Sequence, residues 1–460
     1  MRIKLDVPLY LNEISAALNA TNLYHTNVVV DHITTNSKEL EPGDLFIPLM
    51  GTRYNGENFV KECLLKGGIC LTTERRNNCI TVIDTEEALL SLASYYKSKL
   101  SKLKYTVAIT GSVGKTTTKE ILKRLCSATY KTHATKDNQN NQIGLPLTIL
   151  SAPKDTQILI LEMGMNHSGE ISRLSKCATP DISIITKIGT AHIGNLGSKE
   201  RIAKAKLEIV DGMKEAKLVI PYDEPLLHSI NNAYTFSTKN KSAYIYINNN
   251  EGNLTILTPY GYINTKTDLQ GDAIAECISA ATSAALLTEV DFEQLKSSFS
   301  LISSDICRQK LIHCYKFDIL EDCYNASYES VISSLDLLSR HKNYSSKGAL
   351  LGSIYELGDE AHRIHYSIGV YAAKCRLDNL FILGEYAYDI FNGAVENGMD
   401  EDKIFITEDA RDFENAAMLI KKHALKNEII LFKASHAVNL ERVIEHLQRG
   451  ENNREDNSIE

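Results

Sequence analysis

Ile109-Thr-Gly-Ser-Val-Gly-Lys-Thr-Thr-Thr118 decides how this chain is built. The apolar run Tyr105 to Ile109 leads into it and reads as a buried strand. Lys119-Glu-Ile-Leu-Lys-Arg-Leu125 follows and reads as a helix. Strand, glycine-bracketed loop and helix are the setting that a phosphate-binding loop requires. Gly111 and Gly114 let the backbone approach an anion and turn its N–H groups inward, and the helix N-terminus adds partial positive charge. Gly111, Ser112, Val113, Gly114, Lys115, Thr116 and Thr117 are therefore the candidate phosphate contacts. Lys115 reaches the terminal phosphates, and the Thr116 hydroxyl is placed to ligate Mg²⁺. The loop is one residue shorter than the common G-x-x-x-x-G-K-[ST]. A mere glycine turn before an ordinary helix would leave the strand, Lys and Thr as coincidences. The reading makes ATP or GTP the energy source.

Working outward, Ile158-Leu-Ile-Leu-Glu162 and Ile182-Ser-Ile-Ile-Thr186 are further buried-strand candidates alternating with helices, which predicts a parallel sheet covered on both faces. Ala243 to Ile247 and Leu254 to Leu257 read as antiparallel hairpin strands at its edge. Before the loop, short apolar runs (Val28 to Val30, Leu45 to Leu49, Ile69 to Leu71, Ile80 to Ile83) indicate a small α/β unit. After it, Phe317 to Leu320, Gly348 to Leu351, Asn379 to Leu383 and Glu428 to Phe432 indicate a third. The expected class is α/β in three domains: a small N-terminal α/β domain, 1–100; a central P-loop ATPase domain with a mainly parallel sheet, 101–305; and a C-terminal Rossmann-like α/β domain, 306–448. Residues 449–460 are polar and are expected to be a disordered tail.

Bulk properties narrow the class. At 460 residues the chain needs several cores. No run of 18 apolar residues is present to span a membrane, and the first residues lack the apolar stretch of a signal peptide. Ten cysteines without a C-x-x-C pair suit reduced thiols in the cytoplasm rather than a zinc site or disulfides. A net charge of −8 gives nucleic acid no electrostatic footprint. With no sign of an assembly in the sequence, a monomer is the default.

Glu162 ends a strand of the loop's own sheet, where ligands bind in open α/β folds, and can hold Mg²⁺ near the phosphates. His192 follows another strand and can offer a nitrogen to a second metal. A strand-end Glu or His alone is ordinarily a hydrogen-bonded structural residue; the neighbouring phosphate loop favours metal binding. In Ile202-Ala-Lys-Ala-Lys-Leu-Glu-Ile209, Lys204 and Lys206 fall on different helix faces, and each read alone is a solvated residue.

Several segments together resemble the Mur ligases, an ATP-dependent amide-forming family. They are Asn140-Asn-Gln-Ile-Gly-Leu-Pro-Leu-Thr-Ile-Leu150, Glu162-Met-Gly-Met-Asn-His-Ser-Gly-Glu-Ile171, Thr186-Lys-Ile-Gly-Thr-Ala-His192, the lysine-bearing stretch 202–209, Thr35-Asn-Ser-Lys38, Pro42 to Gly51, Asn55 to Phe59, Asp322-Cys-Tyr-Asn-Ala326 and Leu351-Gly-Ser-Ile-Tyr-Glu-Leu-Gly358. The similarity covers about residues 28 to 446. It implies ATP and Mg²⁺ as cofactors, with Thr116, Glu162, His192 and Lys206 as metal ligands, Lys206 through carbamoylation by CO₂. Lys115, Lys206 and His192 become the implied catalytic residues, and Arg308, Asp322 and Tyr324 further ATP contacts. Ser37 and Lys38 would hold a UDP-sugar, and Asn140, Asn141 and His167 would face its peptide. The implied reaction joins D-alanyl-D-alanine, a dipeptide amine, to a UDP-N-acetylmuramoyl-tripeptide through an acyl phosphate.

The departures from the family pattern cluster in the second half. An H-N-x-x-N type motif is replaced by Gly271-Asp-Ala-Ile-Ala-Glu-Cys277, and Ile306 stands where a glycine precedes Arg308. Y-N-A-N-P becomes Tyr324-Asn-Ala-Ser-Tyr328, L-G-D-M becomes Leu351-Gly-Ser-Ile354, and K-G-S-R becomes Lys433-Ala-Ser-His436. Asn36 and Lys38 stand where Asp and Arg are usual. Three alternatives follow: a paralogue joining another carboxylate and amine, a nucleotide-binding relative without ligase activity, and a GTPase-like or kinase-like P-loop protein. Against the last, no N-K-x-D run is present. Cys307, Cys314 and Cys323 fit no zinc motif and read as thiols. His362 and His365, three apart on a helix, fit packing roles better than a two-His metal site.

Overall fold

The computed structural model describes residues 1–20, 28–51, 54–215, 217–250, 252–269, 271–306, 309–314 and 316–455. Three sheets organise the chain. The N-terminal sheet holds β1 (Arg2–Tyr10), β2 (Val29–Thr34), β3 (Leu45–Phe46), β4 (Ile69–Thr72) and β5 (Cys79–Thr81) in sequence order, with only β1 antiparallel to its neighbour. β1 was not among the expected strands, although Ile3, Leu5 and Leu9 alternate onto its buried face. Its Pro8 is tolerated because β1 is an edge strand.

The central sheet contains β6 (Tyr105–Thr110), β7 (Thr132–Ala134), β8 (Ile158–Glu162), β9 (Ile182–Ile185), β10 (Lys217–Pro221), β11 (Tyr234–Ser237), β12 (Ile245–Asn250), β13 (Asn253–Thr258) and β14 (Gly261–Lys266). Their order is β14-β13-β12-β11-β10-β9-β6-β8-β7, parallel except for the β12–β13–β14 meander. The strand feeding the phosphate loop, β6, therefore lies between β9 and β8. Ile109 pairs with Glu162 and Thr110 with Ile185, so one edge of the sheet presents the loop, Glu162 and the segment after β9 side by side. The helix Lys115–Ser127 buries Ile121, Leu122 and Leu125, a stripe one turn wide, against the helix Asp272–Leu287. Each such side chain stabilises by about 1.5–3 kcal/mol.

The third sheet holds β15 (Lys310–His313), β16 (Phe317–Glu321), β17 (Ser346–Gly352), β18 (Asn379–Leu383), β19 (Ile404–Thr407) and β20 (Glu428–Lys433), ordered β15-β16-β20-β17-β18-β19 with only β15 antiparallel. The last helix, Glu441–Glu455, takes in much of the stretch expected to be a tail, and 456–460 lie outside the described residues. No described helix is long and apolar enough to cross a membrane. None of the nine described cysteines forms a disulfide; Cys307 is outside the described residues. His365 is buried and fully engaged. Its Nδ1 donates to the Ala361 carbonyl (2.7 Å), its Nε2 accepts from Ile354 N–H (2.9 Å), and its ring stacks on Tyr386. That leaves it no lone pair for a metal.

The N-terminal and central domains share a charged contact. Lys97, on the helix Thr85–Lys99, donates to the Thr179 carbonyl (3.1 Å) and hydroxyl (2.6 Å) at the end of the helix Glu170–Ala178. Ammonium there complements the helix dipole, but burial pulls its pKa down to about 8. The folded value lies below the ordinary 10.5. Unfolded chains therefore bind more protons between these two pH values, and the burial cost, complete below pH 8, fades as pH rises to 10.5. Compared with a Lys97→Met variant, the wild type should gain stability across that window, by on the order of 2–3 kcal/mol at most. Paired urea melts at pH 7.5 and 10 check this; a difference independent of pH would mean the ammonium is not desolvated.

Candidate active site

The phosphate loop is shaped by its glycines. Gly111 adopts φ 151° and Gly114 φ 89°, and Gly114 caps the helix beginning at Lys115. A Cβ on Gly111 would lie 1.9 Å from Thr186 Oγ1. That hydroxyl is committed: it donates to the Val113 carbonyl (2.6 Å) and lies 3.3 Å from the Thr110 carbonyl. Ser112 N–H donates to the Lys187 carbonyl (2.8 Å), and Ser112 Oγ accepts from Gly189 N–H (2.9 Å), so the segment after β9 braces the loop. Lys115 Nζ folds back to the Gly111 carbonyl at 2.7 Å.

Glu162 is only 2% exposed. One carboxylate oxygen accepts from Thr116 Oγ1 and the other from Asn140 Nδ2, both at 2.8 Å. Two oxygens 2.8 Å apart match neighbouring ligands on an octahedral Mg²⁺, about 2.9 Å for metal–oxygen distances near 2.05 Å. Among the described residues no group of three or more His, Cys, Asp and Glu converges. A protein that leaves most positions to water and phosphate oxygens needs none, which is how Mg²⁺ is usually held. The donor set fits the ion.

His192 lines the same cleft as this pair, and Lys206 lies close enough to Lys115 and His192 to feel their charge. His192 has left-handed backbone (φ 65°) and a ring 22% exposed. Burial lowers its pKa, and the Glu356 carboxylate acts in the opposite direction. Lys206 sits in the helix Lys199–Leu207 and is 2% exposed. This corrects the reading of Lys206 as a solvated helix residue, while Lys204 is exposed as expected: packing turns the Lys206 face into the domain and leaves Lys204 outside. Burial, followed by the nearby Lys115 ammonium, holds the Lys206 amine well below the ordinary lysine value.

A cleft of about 410 Å³ opens over the loop. Its walls bring together Ser112 to Thr117, Asn140, Glu162 and His192 from the central domain with Asp322, Tyr324 and Lys433 from the C-terminal one. Asp322 Oδ2 pairs with Lys433 (2.9 Å) and accepts from Ser334 Oγ (2.6 Å). Tyr324 meets His436 edge-on at 6.1 Å between ring centroids. Two glutamates, Glu329 and Glu356, reach from the C-terminal domain onto the segment 190–194. Neither was singled out from the sequence. Glu356 lay inside a quoted motif, whereas Glu329 carried no local signal at all.

Other expected site residues lie elsewhere. Lys206 does not line the cleft wall. Asn141 precedes the helix Gly144–Leu150, and its Oδ1 accepts from Gly144 N–H at 2.8 Å. His167 is exposed on a loop that Glu208 grips through Ser168 Oγ (2.7 Å) and Gly169 N–H (2.8 Å). Ser37 is buried and Lys38 exposed, in the N-terminal domain beside Lys66. Arg308 lies outside the described residues.

Residues 109–285 match the Mur ligase middle domain. The chain is 34% identical over 444 residues to a UDP-N-acetylmuramoyl-tripeptide–D-alanyl-D-alanine ligase of Bacillus subtilis, covering 93% of this chain and 95% of that one. It is 29% identical to the Synechocystis ligase of the same name, covering 96% of each. Among solved structures, MurF from Acinetobacter baumannii superposes with a TM-score of 0.87 at 26% identity, over 97% of this chain and all of that one. The MurF ligase of Thermotoga maritima in complex with ADP gives 0.79 at 28% identity, over 92% and 98%. With likeness this continuous through all three domains, the chain belongs to the Mur ligase family, in the branch of the UDP-N-acetylmuramoyl-tripeptide–D-alanyl-D-alanine ligases.

Proposed function

We propose that this enzyme joins D-alanyl-D-alanine to a UDP-N-acetylmuramoyl-tripeptide, forming an amide with ATP converted to ADP and phosphate. A substrate carboxylate attacks the γ-phosphorus of ATP in line, expelling ADP and giving an acyl phosphate. The dipeptide amine then adds to the acyl carbon, and phosphate leaves. The loop N–H groups and Lys115 hold the phosphates and neutralise charge in the transition state. Thr116 and Glu162 would hold Mg²⁺, and His192 would offer a nitrogen to a second ion; when bound, such ions would supply further charge neutralisation. Lys206, whose burial disfavours the ammonium form, would add to CO₂ with loss of a proton and carry the resulting carboxylate. Ser37 and Lys38 hold the UDP-sugar, and Asp322 and Tyr324 border the nucleotide, with Arg308 a further ATP contact by family resemblance. Glu329 and Glu356 keep the C-terminal domain over the cleft, excluding water that would hydrolyse the acyl phosphate. The protein works in the cytoplasm as a monomer.

The observation that carries this reading is the Thr116–Glu162 oxygen pair set beside the loop in a cleft closed by the third domain. Phosphate release should require ATP, Mg²⁺, the tripeptide nucleotide and D-alanyl-D-alanine together, and mass spectrometry should find the amide. Release without dipeptide dependence would sink the assignment.

A second reading, ligation of a different amine, is favoured by one feature. Ser353, where relatives of this kind carry a carboxylate, is buried with its hydroxyl lacking a hydrogen-bond partner. The same assay with other dipeptides separates the two readings.

A further inference from the structure

The segment Gly189-Thr-Ala-His-Ile-Gly194 joins β9 to the Lys206 helix and is held from the C-terminal domain at two points. Glu329 accepts from Thr190 N–H (3.0 and 3.1 Å) and from Thr190 Oγ1 (3.0 Å). Two residues on, Glu356 Oε2 lies 2.5 Å from His192 Nδ1, and the Glu356 carbonyl accepts from Gly194 N–H at 2.9 Å. The backbones meet directly here. A Cβ on Gly194 would fall 2.6 Å from Gly358 N.

The conformations on both sides are costly. His192 (φ 65°) and Glu356 (φ 64°) are both left-handed non-glycine residues, and they face one another across the domain boundary. Such backbone persists where surrounding structure over-determines it, and it concentrates at functional sites. An ionised carboxylate can only accept, so His192 Nδ1 carries the hydrogen and Nε2 keeps its lone pair. His192 lines the cleft.

We propose that Glu356 is a positioning residue for metal binding: it reaches across the domain boundary to fix the tautomer and ring orientation of His192, so that Nε2 becomes a competent ligand only when the C-terminal domain is closed. Carboxylate–histidine–metal arrangements of this kind are the usual way a histidine ligand is oriented and made more basic. Here the carboxylate comes from a different domain, 164 residues away in the chain. The second metal position is thereby made conditional on closure. Glu329, gripping Thr190, holds the same segment at its other end.

The inference rests on His192 being a metal ligand, and the test separates the two claims. Full-length protein with ADP is titrated with Mn²⁺ and followed by electron paramagnetic resonance, comparing wild type with His192→Ala, Glu356→Ala and Glu356→Gln. His192→Ala should abolish one Mn²⁺ site and spare the one at Thr116 and Glu162. Glu356→Ala should weaken that same site 10- to 100-fold, with its spectrum altered. Glu356→Gln, which keeps an acceptor oxygen, should recover part of the loss. If His192→Ala removes a site and Glu356→Ala leaves it untouched, Glu356 does not position the ligand. If Glu356→Ala weakens both sites equally, Glu356 serves closure alone, and the proposal falls. If His192→Ala changes nothing, the metal role of His192 fails and the proposal with it.

Discussion

Lys206→Met should abolish turnover while raising the melting temperature. The amine is 2% exposed and lies near the Lys115 ammonium, so the folded protein disfavours its charged form. Its folded pKa is well below the unfolded value of 10.5. The unfolded chain therefore binds more protons between the two, and the burial penalty is fully present below the folded pKa and gone above pH 10.5. Methionine has similar length and no charge to desolvate. The variant should melt higher at pH 7, by about 2–4 °C for each kcal/mol relieved, with the advantage shrinking towards pH 10. Turnover should fall by about 10²–10³-fold or more, the scale of losing one preorganised electrostatic group. Melting curves from pH 6 to 10 with steady-state kinetics test both halves. With CO₂ and bicarbonate excluded, a methionine variant no more stable than wild type would show that Lys206 is not a desolvated amine in solution.

Gly111→Ala should cost nucleotide affinity by at least about 100-fold, roughly 2.7 kcal/mol. The added Cβ meets Thr186 Oγ1 at 1.9 Å, Thr186 Cβ at 3.1 Å and Lys187 N at 3.1 Å. Rotating Thr186 away would break its bond to the Val113 carbonyl, and Lys187 N is backbone that cannot rotate aside. The φ of 151° adds strain for any residue with a Cβ. The loop should therefore open away from the sheet and lose the inward aim of its N–H groups. Calorimetric titration of ADP is the measurement. Unchanged ADP affinity would mean that the loop does not bind phosphate in the conformation seen here.

Much of the fold was legible locally. β6, β8, β18 and β20 are mostly apolar and buried along their length, because strands buried on both faces need no polar alternation. The expected hairpin after residue 243 is present, though β12 also pairs in parallel with β11. β1 was missed because its alternation includes a proline and charged outward residues, and the short strand β19 because four residues give too little pattern.

The site divides along the same line. The loop and Glu162 could be placed from sequence because each directly follows or ends an apolar strand, and His192 because it lies seven residues beyond another; a parallel sheet gathers such strand ends at one edge. Asn141, expected to face the peptide, has its Oδ1 engaged at the start of a helix. Burial of Lys206 was not visible, since its helical periodicity matches an exposed position and only packing against the domain removes it from water. Nor were Glu329 and Glu356, whose partners lie 139 and 164 residues away. By itself the sequence determined most of the buried apolar strands, the glycine loop and the residues that follow those strands, because these follow from local periodicity and backbone chemistry. Only the tertiary structure decided which charges are buried and which carboxylates cross the domain boundary, because desolvation and pairing depend on what packs against a side chain rather than on its neighbours in the chain.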